Sequence, residues 1–192
     1  TPSYLSADQI RRLLSGLHDA SPWGSVQECT FECEPGTVTR EKLQVLRQLG
    51  VTRITLGFQS LNDDILERNG RRARAAECLR AWEWVRELGF PEVNLDLMAG
   101  LAGETDETWR GTVEKAVALR PDCATIYQME LTYNSLFYAD LKAGKPVPLA
   151  DWPTKRRWLN EALQAFEAAG YAVGSGYMAV RDPQRWRLVF TV

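Results

Sequence analysis

Glu32, Gln59 and Asp96 are polar side chains able to hold a ligand by hydrogen bonds, and each stands at or near the end of a short apolar–polar alternation. Successive side chains of a strand point to opposite faces. In the run from Cys29 to Cys33, Phe31 and Cys33 share one face while Thr30 and Glu32 share the other. Ile54, Leu56 and Phe58 oppose Thr55 and Gln59 in the same way, and Val93, Leu95 and Leu97 oppose Asn94 and Asp96. Helices laid over the apolar faces would leave the polar faces lining an interior. A closed barrel ordinarily fills that space with Val, Ile and Leu, so a polar interior predicts a hydrated or ligand-filled site. Ligands of parallel barrels and open α/β sheets collect at the carboxyl ends of strands, where these three residues stand. The competing reading is a buried polar network bonded only to itself.

Other residues carry weaker signals. The small-residue segment from Met98 to Thr105 would let backbone approach a ligand closely, or serve only as a tight connection. Arg71 lies in the basic run 68–74, which reads mostly as solvated surface. Trp82, Trp84, Trp109 and Trp158 sit at helical spacing and read as packing. Cys29 and Cys33 invite a metal reading, but no third cysteine follows within a few residues. Buried structural thiols are the better reading for both, and the expected metal set is none. His18, the only histidine, reads as a surface residue.

The elements that must position these groups recur as helix–strand units. Helical pattern over 41–48 stops at Leu49-Gly50 and is followed by a strand over 51–59. A longer helix over 73–87 stops at Leu88-Gly89 before a strand over 93–97, and a helix over 105–119 precedes Pro121 and a strand over 123–131. Glycine just past a helix and proline soon after are the expected stop signals. Such alternation predicts a parallel sheet with covering helices. A first helix over 7–17 opens with Ser6 and Gln9 placed as a capping box. Beyond Gly144 the character changes: a helix over 153–169, then strands over 171–180 and 188–192, of antiparallel type, separated by a turn at Asp182-Pro183. The division is thus 1–144 for the helix–strand core and 145–192 for an extension of the same domain. Both ends are abrupt, and the chain reads as an excerpt.

Composition narrows the function classes. The chain has 192 residues, 45% of them hydrophobic and 25% charged, enough for one domain with a core. A net charge of −2 gives no field suited to nucleic acid or an anionic membrane. Apolar runs are too short to span a bilayer and the first residues lack a signal-peptide pattern, so a cytoplasmic location is expected. Four cysteines do not form a disulfide framework.

Read in order, the motifs Thr-Pro-Ser-Tyr-Leu at residues 1–5, Phe-Glu-Cys-Glu-Pro-Gly at 31–36, Arg-Ile-Thr-Leu-Gly-Phe-Gln-Ser at 53–60 and Asn-Leu-Asp-Leu-Met-Ala-Gly-Leu at 94–101 resemble one family. It is the radical S-adenosylmethionine (SAM) proteins of the oxygen-independent coproporphyrinogen III oxidase group, which includes HemN-like oxidases and HemW-like haem chaperones. The resemblance covers nearly the whole chain.

It implies a partial (βα)6 barrel of the TIM type that lacks its first two strands and binds SAM and a [4Fe–4S] cluster. Carried over by position, Thr1 would lie beside the methionyl amino group, Glu32 near the ribose and Arg71 near the carboxylate. Gln59 and Asp96 would also contact SAM, and the backbone of Met129 would approach the adenine. The Cys-x3-Cys-x2-Cys motif that ligates the cluster would lie upstream of Thr1 and is absent, so the ligands are expected outside this chain. Ala102 replaces a proline common in the family. The implied activity is that of a radical SAM oxidoreductase decarboxylating porphyrinogen propionates in haem biosynthesis, with this chain inactive alone. A haem chaperone, or another radical SAM reaction such as methyl transfer, is the alternative. Implied partners are a porphyrinogen or haem-like molecule and an electron donor such as flavodoxin or ferredoxin.

Overall fold

Four parallel strands carry the alternation read from the sequence: β1 (Thr30–Cys33), β2 (Arg53–Gln59), β3 (Glu92–Ala99) and β4 (Cys123–Gln128) lie side by side in that order. The computed structural model describes residues 1–175 and 177–185. Beyond β4 the sheet turns antiparallel: β6 (Met178–Val180) pairs with β4, and β5 (Ala172–Ser175) pairs with β6. The order β1-β2-β3-β4-β6-β5 leaves β1 and β5 as edges among the described residues, so the sheet is an open, partial barrel.

Seven α-helices accompany these strands among the described residues: α1 (Ala7–Ala20), α2 (Arg40–Gln48), α3 (Asp63–Arg68), α4 (Ala75–Glu87), α5 (Asp106–Leu119), α6 (Leu136–Lys142) and α7 (Trp152–Ala168). Each longer helix buries one stripe. Ile10 and Leu14 of α1, Leu43 and Leu46 of α2, Val85 of α4, and Trp158 and Phe166 of α7 are buried in one core. That core meets the apolar strand face of Phe31, Ile54, Leu56, Phe58, Val93, Leu95 and Leu97. Each such side chain contributes about 1.5–3 kcal/mol by leaving water, and together they fix which strand face points away from the helices. Trp109 and Trp158 pack with ring centroids 6.5 Å apart, and Trp109 donates its indole N–H to the Trp158 carbonyl at 2.9 Å.

The expected capping box is present: Ser6 Oγ accepts from the Gln9 N–H, and Gln9 Oε1 accepts from the Ser6 N–H at 2.8 Å. Gly50 and Gly89 end their helices with positive φ. Three expectations need correction. The span 171–180 is a hairpin rather than one strand, and the reversal falls between Ser175 and Met178. The strand expected over 123–131 stops at Gln128, where Met129 leaves the ladder while still donating its N–H to the Ala99 carbonyl. A short helix, α3, fills what read as a connection after Gln59. The strand expected over 188–192 lies outside the described residues.

Candidate functional site

The polar strand face runs across four strands in register. Glu32 pairs with Thr55, Thr55 with Asn94, Gly57 with Asp96, and Asp96 with Thr125. At its amino end the face is closed by an ionic layer: Arg53 Nε lies 3.1 Å from Glu92 Oε1, and Glu28 adds a second carboxylate 3.7 Å from Arg53. The Cys123 thiol donates to the same Glu92 oxygen at 3.1 Å. Above this layer Asn94 donates to Asp96 Oδ1 at 2.8 Å, and Thr125 donates to Asn94 Oδ1 at 3.0 Å.

Asp96 is 8% exposed, and its carboxyl is pushed up to about 7. Burial is the main cause and the Glu32 charge the next, against the lowering effect of the Asn94 and Thr125 hydrogen bonds. Glu32 is also raised by burial, opposed by Arg53 and by a hydrogen bond from Thr55. Two carboxyls raised by burial on one strand face, Asp96 further by the Glu32 charge, mark a place where a hydrogen-bond-donating ligand would be welcome. Tyr127 extends the same face two residues beyond Thr125 and stacks on Tyr177 at 5.9 Å between centroids.

Gln59 sits at the carboxyl end of β2 with φ of +65°, a left-handed conformation that a non-glycine residue seldom adopts. The ladder slips between Gly57 and Gln59, so a bulge rather than simple alternation aims this side chain. Its Oε1 is buried and meets no donor among the described residues. Strain and an unmet acceptor coincide at one residue, the pattern that strand ends show at binding sites.

Arg71 comes from the turn between α3 and α4. Its Nη2 donates to Glu34 Oε2 at 2.5 Å and to the Gly57 carbonyl at 3.2 Å. Glu34 belongs to the turn after β1, and burial raises its carboxyl while Arg71 opposes the rise. Arg68 and Arg72 of the run 68–74 are exposed, whereas Arg71, which the sequence did not set apart from them, is half-buried.

Thr1 is exposed and precedes a short 3-10 turn, Pro2–Tyr4, docked against β1. Ser3 Oγ accepts the Glu34 N–H at 2.9 Å and contacts Thr37 Oγ1 at 2.7 Å, while Lys42 Nζ donates to the Ser3 carbonyl. Met129 stands across the sheet, its carbonyl held by Lys155 Nζ at 2.7 Å. Gln59, Arg71, Met98 and Met129 line one cleft of about 520 Å3 whose far wall is Leu136 and Phe137 of α6. Glu32 and Asp96 do not line that cleft; they lie on the adjoining sheet face.

Four residues escaped the sequence reading. Glu34 had a visible signal, since it repeats the parity of Glu32 within the same Glu-Cys-Glu run. Tyr127 had the same kind of signal beyond Thr125. Lys155 and Glu104 had none. Lys155 is a buried cation on α7, and Glu104 is a buried carboxyl pushed up to about 8, mainly by burial, with Oε2 accepting the Gly100 N–H at 2.7 Å. His18 is half-buried rather than a plain surface residue: it stacks on Trp23 and bonds the Leu49 carbonyl. Cys33 faces the core and Cys29 is half-buried, as expected of structural thiols. Among the described residues no group of three His, Cys, Asp or Glu side chains could hold a metal ion. No helix among them is long and apolar enough to cross a membrane.

Several known proteins are similar to this chain. The haem chaperone HemW of Haemophilus influenzae is 34% identical over 171 residues, 89% of this chain and 43% of that protein. The oxygen-independent coproporphyrinogen III oxidase of Escherichia coli K12 is 27% identical over 185 residues, 96% of this chain and 40% of that protein. Among solved structures, the E. coli coproporphyrinogen III oxidase HemN, described as a radical SAM enzyme, superposes with a TM-score of 0.79 at 25% identity, covering 95% of this chain and 42% of that one. The chain thus spans less than half the length of these relatives. Residues 4–116, which carry β1 to β3, Arg71 and the strand ends that gather the polar groups, match the model of one family, and the chain belongs to the radical SAM superfamily.

Proposed function

We propose that this chain is the SAM-holding part of a radical SAM protein of the coproporphyrinogen oxidase and haem chaperone group. The observation that carries the reading is the strained Gln59, with its buried unmet Oε1, facing the same cleft as the Arg71 guanidinium. A methionyl group offers a carboxylate for Arg71 and an ammonium donor for an oxygen acceptor; a ribose offers two hydroxyls. Glu32 and Asp96 suit the hydroxyls, because a raised carboxyl regains its charge most readily where donors point at it. Thr1 would stand beside the amino group and the Met129 backbone beside the adenine. The Met129 N–H already serves Ala99, so its carbonyl, with one lone pair on Lys155, would be the group available to the ring.

The residues fit SAM and do not fit a [4Fe–4S] cluster. Cys33 turns its sulfur into the core, Cys29 immediately precedes the same strand, and among the described residues no third ligand joins them. The cluster's ligands would lie outside this chain. When bound, SAM supplies the radical chemistry of the superfamily; these residues would bind and orient it and shield it from water.

For the whole protein, oxidative decarboxylation of porphyrinogen propionates is the leading reading, with an electron donor such as flavodoxin or ferredoxin. Haem delivery is the second, favoured by the identity to HemW, 34% against 27% for the E. coli oxidase. Equilibrium dialysis of SAM against the chain tests the first step: binding lost in Asp96→Ala and Gln59→Ala supports the reading, and binding indifferent to both overturns it. Haem titration set against coproporphyrinogen turnover, on the protein carrying the cluster, separates oxidase from chaperone.

A further inference from the structure

Arg71 is not free to clamp a carboxylate with two parallel hydrogen bonds. A guanidinium offers two such edges, Nη1 with Nη2 and Nε with Nη2, and both use Nη2. Here Nη2 has two protons and two acceptors, Glu34 Oε2 at 2.5 Å and the Gly57 carbonyl at 3.2 Å. Gly57 is fixed in the β2 ladder opposite Asp96. Glu34 ends in a side chain that can turn away, while its backbone is tied by Ser3, Thr37 and Val38.

We infer that Glu34 is a resident carboxylate that occupies Arg71 in the ligand-free chain, yields it to the carboxylate of the bound amino-acid moiety, and thereby limits the affinity of that subsite. The inference rests on the reading that Arg71 receives the methionyl carboxylate.

Two effects of Glu34 oppose each other, and their sizes decide the sign. Holding one arginine in place contributes about two- to tenfold in affinity. The incoming carboxylate would share Arg71 with Glu34 and so is the part of SAM nearest that charge; in a half-buried site this repulsion outweighs the attraction felt by the more distant ammonium and sulfonium and weakens binding by about tenfold. Replacement by glutamine retains a carbonyl acceptor for Nη2, so most of the positioning survives while the charge is removed. The charge effect therefore wins.

The test is equilibrium dialysis of the chain with SAM and, in parallel, with 5′-methylthioadenosine, which retains the adenosine and the methylated sulfur as a neutral thioether and lacks the sulfonium charge, the carboxylate and the amino group. Arg71→Ala should weaken SAM by tenfold or more and leave methylthioadenosine within twofold. Glu34→Gln should tighten SAM by about three- to tenfold, again with methylthioadenosine unchanged, and Glu34→Asp, which retains the charge, should gain nothing. Methylthioadenosine binding also reports whether each variant is folded. Glu34→Asn is a second neutral variant with the same expected gain should Glu34→Gln lose its fold. If Arg71→Ala weakens SAM but neither neutral variant tightens it, the inference about Glu34 is overturned and the role of Arg71 stands. If Arg71→Ala leaves SAM binding untouched, the underlying reading fails and the inference with it.

Discussion

Asn94 donates its side-chain amide to Asp96 Oδ1 at 2.8 Å, two residues along the same strand face. One such bond does not offset burial, and the Asp96 carboxyl stays raised to about 7. A folded pKa above the unfolded value means that folding favours the protonated form. Stability is then highest below the unfolded value of 3.8 and falls as pH rises towards 7. Asp96→Asn removes this cost. It should melt higher than the parent at pH 8, by on the order of 2–4 kcal/mol, with the gap closing near pH 4, while SAM affinity drops. Thermal melts across pH check the first part and dialysis the second. A gap that widens towards pH 4 would contradict the assignment.

Gln59 should show the same opposition between stability and binding through backbone strain. Gln59→Gly accepts φ of +65° without a Cβ and removes a buried acceptor that lacks a donor. Denaturant unfolding should show a gain of about 1 kcal/mol, together with weaker SAM binding. A loss of stability would mean that the side chain packs more than it strains.

Lys155 links α7 to the end of β4 through the Met129 carbonyl, and its methylenes lie where a Cβ on Gly100 would fall, at 2.7 Å. Lys155→Met maintains the length while removing the charge. Because a buried ammonium is costly to dehydrate, global stability should change by no more than about 1 kcal/mol. Hydrogen exchange at the Met129 amide should nevertheless quicken, since one anchor of that residue is gone. Unchanged exchange would show that the Ala99 bond alone holds it.

Anaerobic treatment of the isolated chain with iron and sulfide should leave no visible iron–sulfur absorption after desalting. Burial holds the Cys29 and Cys33 thiols above their ordinary value, the direction that disfavours metal thiolates. A cluster that survives desalting and disappears in Cys33→Ala would refute this.

Much of the site was legible because it lies on strands, where a period of two assigns each residue a face. Thr55, Asn94 and Asp96 follow that rule without exception. Gln59 reaches the site by a different route, since a bulge intervenes after Gly57, and bulges answer to neighbouring strands rather than to local composition. Arg71 could not be told from Arg68 or Arg72, because its distinction is a partner from a turn 37 residues earlier. Lys155 has the same cause of invisibility: nothing near it on α7 announces that its amine meets a carbonyl beyond β4. The antiparallel reversal after Ser175 had a visible signal, since Gly174-Ser175-Gly176 is a run of turn-forming residues inside the span 171–180.

β4 acquires its outer neighbour late in the chain, after α6 and α7 have been made, since β6 supplies it from Met178–Val180. Until that hairpin arrives, a strand rich in buried side chains presents bare amide and carbonyl groups along one side. Such a side can recruit a strand from another molecule. The hairpin moves the open edge from β4 out to the short β5, and a chain cut before Met178 would expose the edge of β4 that β6 covers.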